Sequence, residues 1–100
     1  MDLTEIIPVG KKNAISRRNL CIISGLSDRA MREQISAARR YIPIINDQTG
    51  IGYYIPSEDD LEEAKSYLRQ EEARAKSIFW SIHGLRKWIK EVEECKKEVT

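Results

Sequence analysis

The sequence predicts a mainly α chain with a small β-hairpin, an α+β arrangement that ends in a long C-terminal helical tail. Three observations carry that prediction: two capped helical segments joined at a glycine within residues 16–40, two β-branched and aromatic runs flanking NDQTG, and a heptad stripe from Leu61 to Val92. A length of 100 residues allows one domain, or one small domain with an appendage. Hydrophobic residues at 41% exclude the apolar-poor class that stays disordered.

The first twelve residues carry Leu3, Ile6, Ile7 and Val9, but Pro8 and Gly10 prevent a long helix from crossing them. SRRNLCIIS then offers Ser16 as an N-cap, apolar Leu20, Cys21 and Ile23, and Gly25 as a stop, which predicts a short helix. Ser27 is a second N-cap, and DRAMREQISAARR continues in good helix formers. At 3.6 residues per turn, Met31, Ile35 and Ala38 share one side of this helix, expected over residues 27–40. Arg29, Arg32, Glu33, Ser36, Arg39 and Arg40 share the other. YIPII and IGYYIP predict a hairpin of Tyr41–Ile45 with Ile51–Ile55, with Pro43 and Pro56 at edge or end positions. A two-stranded ribbon is unstable alone, so it must lie on the helices.

Composition shifts at Ser57, dividing the chain into a domain over 1–56 and a tail over 57–100. SEDDLEE places a serine cap before carboxylates that suit the positive end of a helix. Leu61, Leu68, Ala75, Ile82 and Ile89 recur every seven residues, with Ala64, Glu71, Ile78, Leu85 and Val92 as the companion series. Nine of these ten are apolar, more than so small a domain can cover, which predicts a homodimer or higher oligomer. The expected interface is Leu61, Leu68, Ala75, Ile78, Ile82, Leu85, Ile89 and Val92. Glu71 within the stripe, Trp80 opposite it and Gly84 in the helix interior resist the simplest picture. The tail is therefore one long helix paired with another chain, or it breaks near Gln70–Glu72 and folds back.

A net charge of +1 hides a polarised chain. Residues 1–56 hold eight Lys/Arg against five Asp/Glu, and residues 57–100 hold nine against eleven. Over Gly10–Tyr54 the balance is eight to three, a basic density suited to a polyanion. No apolar run is long enough for a membrane span, and MDLTEIIPVG lacks the basic start of a secretion signal, so a cytoplasmic protein is expected. Cys21 and Cys95 read as reduced thiols without metal-type spacing. The sole histidine, His83, sits on the tail without a nucleophile partner. Glu58, Asp59, Asp60, Glu62 and Glu63 read as a helix-start cluster, and Gly50 and Gly52 belong to the hairpin. The expectation is a binding protein without catalysis, metal or cofactor.

Short helix, glycine turn, second helix and hairpin is the order of a winged helix-turn-helix. Leu20 and the small Cys21, then Gly25, Leu26, Met31 and Ile35, stand where that motif wants them; Ser24 and Gln34 are more polar than its pattern. IIPVGKKNAIS, RRNLCIISGLSDRAMREQISAARR, PIINDQTGIGYYIP and RAKSIF together resemble small winged-helix proteins commonly encoded by phages and prophages of Gram-positive bacteria. The resemblance spans roughly Ile6–Phe79 and implies a DNA-binding protein used in transcription, replication or excision.

In a winged helix the second helix enters the major groove of double-stranded DNA. Arg29, Arg32 and Ser36 are then the expected base contacts. Lys11, Lys12, Arg17, Arg18, Ser27, Arg39 and Arg40, with Gln48 and Thr49 of the wing, are the expected backbone contacts. The wing tip has no Lys or Arg and carries Asp47. Winged helices also serve as protein-interaction modules, so docking to a protein without DNA binding is the alternative.

Overall fold

The computed structural model describes residues 2–47 and 52–99. The element order is α1 (Leu3–Ile6), α2 (Arg17–Ser24), α3 (Asp28–Ala38), β1 (Ile45–Asp47), β2 (Gly52–Tyr54), α4 (Leu61–Ser81) and α5 (His83–Val99), with 3₁₀ turns at Lys11–Asn13 and Glu58–Asp60. It is thus mainly helical with a small antiparallel hairpin. The chain falls into two compact units, Met1–Tyr67 and Leu68–Thr100.

In the first unit α1, α2 and α3 pack on one another around Leu3, Ile7, Leu20, Met31, Ile35, Ile44 and Tyr53, all buried. Met31 and Ile35 are the apolar stripe of α3, and Ala38 packs against the same core one turn on. Burying side chains of this size contributes about 1.5–3 kcal/mol each, which is the term that holds three short helices together. The serine caps are where the sequence placed them: Ser16 Oγ accepts from Asn19 N at 3.1 Å, and Ser27 Oγ accepts from Ala30 N at 3.2 Å.

The hairpin pairs Ile45 with Tyr54, Asn46 with Tyr53 and Asp47 with Gly52. Its first strand therefore starts at Ile45, not at Tyr41 as the aromatic run suggested. Helical bonding overruns α3, because Tyr41 N and Ile42 N both donate to Ala38 O, and Pro43 has no N–H to give a ladder. Tyr41 is left 87% exposed in that turn, while Ile44 is buried. Ile51 lies outside the described residues.

The far edge of β2 is also covered. Ile15 and Tyr53 exchange N–H···O bonds of 2.9 and 2.8 Å, and Ile55 N donates to Pro8 O at 2.8 Å. This close approach requires Gly52. At φ 125° it occupies a region L side chains avoid, and a Cβ there would sit 2.0 Å from Ile15 O.

In the tail, α4 runs through Gln70–Glu72 without the break that Glu71 suggested. Glu71 is tolerated because the helix surface there is open and Arg74, one turn on, pairs with it at 3.2 Å. The irregularity is the single residue Ile82 between α4 and α5, and helical bonds from Ile82 N to Ile78 O and from Arg86 N to Ile82 O still run through it. Ser81 Oγ donates to Ile78 O at 2.7 Å, and Ile82 N must share that carbonyl at 3.2 Å, a competition that weakens the ladder just before Gly84. No helix of the described chain is long and apolar enough to cross a membrane.

Candidate nucleic-acid interface

The turn between α2 and α3 fixes the presentation of α3. Gly25 adopts φ 72° and donates to Cys21 O at 2.9 Å, closing α2 in the left-handed conformation that glycine tolerates. Ser24, polar where the motif favours an apolar residue, is used in this turn. Its hydroxyl donates to Cys21 O at 3.3 Å and accepts from Leu26 N at 3.2 Å. Gln34, the other departure, is exposed and costs the core nothing.

With Met31 and Ile35 inward, Arg29, Arg32, Glu33, Ser36 and Arg40 are all exposed. The Arg29 side chain is 89% exposed and, among the described residues, pairs along its own helix with Glu33 at 3.2 Å. Arg32 is more restrained: its Nε lies 3.1 Å from one oxygen of Asp28, whose other oxygen lies 3.1 Å from Arg17 Nε. Asp28 thus gathers one guanidinium from each helix at the start of α3. It also places a carboxylate beside the helix N-terminus and Ser27, whose hydroxyl already caps Ala30, so this end is less open to phosphate than the sequence alone suggested.

The remaining cations divide into held and open. Arg39 Nε donates to Ile44 O at 3.2 Å, and its guanidinium lies 5.7 Å from the Tyr67 ring centre. Lys11 Nζ is 4.0 Å from Glu63. Lys12, Arg18 and Arg40 are exposed and have no ion-pair partner among the described residues. Gln48 and Thr49, the expected wing contacts, lie outside the described residues.

One group is more important than the sequence suggested. Asp60, read only as one of the carboxylates at the start of the tail, is buried. Its Oδ2 accepts from Ser57 N at 3.0 Å, Ser57 Oγ at 3.0 Å and Lys11 N at 3.1 Å. The Ser57 amide, helped by the Lys11 amide, the Ser57 hydroxyl and the Lys11 charge, holds the carboxyl below the usual carboxylate range against the opposing effect of burial. The signal was the spacing Ser57-x-x-Asp60, a capping-box pattern with the shorter acid. Gly10, Lys11, Lys12, Ser57, Asp59 and Asp60 line a shallow depression of about 380 Å³ beside it. Its cations and carboxylates balance, which suits neither an anion nor a metal ion. Among the described residues no group of three His, Cys, Asp or Glu side chains is placed to hold a metal.

The arrangement is a helix with an open guanidinium face, held at a fixed angle by a tight turn and a small core. Compared with known proteins, the chain matches no family model, no curated protein and no solved structure, so its function rests on these residues alone.

Proposed function

We propose that this chain is a sequence-specific double-stranded DNA-binding protein of winged helix-turn-helix type, acting in the cytoplasm without catalysis, with α3 in the major groove and the β1–β2 hairpin as the wing. The observation that carries the reading is the outward face of α3, where Arg29, Arg32 and Ser36, followed by Arg40 just past its end, stand exposed opposite a buried apolar stripe. A helix held by one face and bearing guanidinium groups on the other suits bidentate contact with guanine edges. Lys12, Arg18 and Arg40 suit the flanking phosphates, and the resemblance to phage and prophage winged-helix proteins agrees with a regulatory role in transcription, replication or excision. The heptad tail gives this reading its second half, an oligomer that presents two such helices.

The test is titration of the purified chain onto duplex DNA at several salt concentrations. If Lys12, Arg18 and Arg40 engage phosphates, log K falls with log salt by about 3 per protomer; all six expected basic contacts would give about 5. No binding at low salt overturns the proposal. A second reading, a protein-docking module, is favoured by Ile22 and Ile23, which stand exposed on α2. In that case the salt slope is absent and substitution at Ile22, not at Arg29, abolishes partner binding.

A further inference from the structure

Among the described residues of the second unit none is buried. No residue of α4 is fully buried, and Leu68, Ile78, Phe79, Leu85, Trp88 and Ile89 are all exposed. The apolar residues of the heptad thus require a covering surface, and the charges on either side of the seam specify which one.

With Leu68, Ala75, Ile82 and Ile89 as one core series and Glu71, Ile78, Leu85 and Val92 as the other, one flank carries Glu72, Phe79 and Arg86, and the opposite flank carries Arg74, Ser81 and Trp88. The first flank reads acid, aromatic, base, and the order reverses under a two-fold axis. On one helix Arg86 already sits over the Phe79 ring, 5.6 Å from its centre, so these side chains occupy a single edge.

We propose that the tail pairs antiparallel with a second copy of this chain, about a dyad level with residue 80, so that Glu72 faces Arg86 of the other copy twice and Phe79 meets its own counterpart. The same register brings Arg74 against Trp88, and the core layers become Leu68 with Val92, Glu71 with Ile89, Ala75 with Leu85, and Ile78 with Ile82. A parallel pair has two faults. It stacks Glu71 on Glu71 inside the seam, and its flanking pairs, Arg74 with Phe79, Ser81 with Arg86 and Trp88 with Glu93, include no pair of opposite charges. In the antiparallel register each Glu71 meets an apolar residue and keeps its own Arg74 at 3.2 Å. Sliding by one heptad sets Glu72 against Glu93 in one direction and Lys65 against Arg86 in the other, so like charges penalise both neighbouring registers. Trp80 lies outside the seam, and nothing in the structure explains its exposure.

This deepens the reading of the tail as an oligomerisation segment, and its test separates the two. Sedimentation equilibrium of the full-length chain is compared with Glu72→Arg, Arg86→Glu and the double reversal, all on exposed helix surface. Each single change turns two symmetric attractions into repulsions and raises the dissociation constant about tenfold; the double change returns it to within about threefold of the original. A thiol cross-linker of short span provides the second arm, in a chain carrying Cys21→Ala and Cys95→Ser. Ser81→Cys is captured as a dimer, and Leu68→Cys is not, because the two Leu68 positions lie about 36 Å apart along the paired helices. A chain that is monomeric at all concentrations overturns both the pairing and the oligomerisation reading. A dimer whose double reversal is weaker than either single change, with capture through Leu68→Cys, overturns the antiparallel register alone.

Discussion

Replacing Asp28 by Asn should move fold stability and the proposed DNA binding in opposite directions. Its carboxylate holds Arg17 and Arg32 at 3.1 Å each, with side chains about half exposed on both sides. Ion pairs of that exposure contribute only about 0.2–1 kcal/mol each, and a carboxylate in the first turn of a helix adds about 0.3–1 kcal/mol. The variant should therefore lose about 1–2 kcal/mol of stability and remain folded. In the same step it removes a negative charge from the proposed DNA face and releases both guanidinium groups. Arg17 freed for one more phosphate steepens the salt slope by about 0.9, which at 0.1 M salt amounts to about an eightfold gain in affinity. Arg32 freed for base contact sharpens sequence preference further. Urea unfolding reads the first effect and fluorescence anisotropy with labelled duplex, at three or more salt concentrations, reads the second. Affinity that falls, or stays level with an unchanged slope, would refute the placement of this face against DNA.

Arg29→Ala combined with Arg32→Ala should abolish discrimination between duplexes while leaving the far-ultraviolet spectrum and the unfolding midpoint nearly unchanged; unaltered preference in a competition assay sinks the groove assignment. Gly52→Ala should cost about 2–4 kcal/mol, since a methyl 2.0 Å from Ile15 O must break the two bonds between Ile15 and Tyr53, and urea unfolding within 0.5 kcal/mol of the native chain would contradict that geometry. Asp60→Asn should lower the thermal midpoint at neutral pH, with the deficit shrinking in acid. The Asp60 pKa is depressed in the folded state, so its contribution is complete above the ordinary carboxylate value near pH 4 and drains away as pH falls through the lower, folded value. A deficit that does not change between pH 6 and pH 2.5 counts against the three donors as its origin.

Local chemistry made α2 and α3 legible in advance, because caps, a positive-φ turn and the apolar period all act within a few residues. Ser16, Ser27, Gly25, Met31 and Ile35 each have one dominant physical preference, and each is satisfied where the sequence placed it. The start of the hairpin was not legible. Tyr41 and Ile42 favour strands by composition, yet the choice between overrunning a helix and opening a ladder depends on Ile44 finding the core, which is a tertiary event. At the site, the outward position of Arg29 and Arg32 followed from periodicity alone. The carboxylate that binds Arg32 to Arg17 did not, since it joins two helices through a turn whose geometry no spacing rule supplies. In the tail, Glu71 was an obvious irregularity and proved harmless, whereas the Ser81 hydroxyl, which the heptad pattern does not single out, competes for the carbonyl that the next turn needs.

The composition changes at Ser57, but the first compact unit continues to Tyr67. Asp60 ties down the Lys11 amide and Tyr67 lies under the Arg39 guanidinium, so the opening turns of α4 are part of the wall of that unit. Anyone dissecting the protein at the visible change of character, after Pro56, would remove the Asp60 acceptor of the Lys11 amide, the Glu63 partner of Lys11 and the Tyr67 ring under Arg39 together with the heptads. A fragment cut there would lose these head contacts as well as the heptads, and any loss of the proposed DNA binding would be mistaken for proof that two copies are needed. The informative boundary is downstream of Tyr67, where the head keeps its anchors and only the heptads are lost.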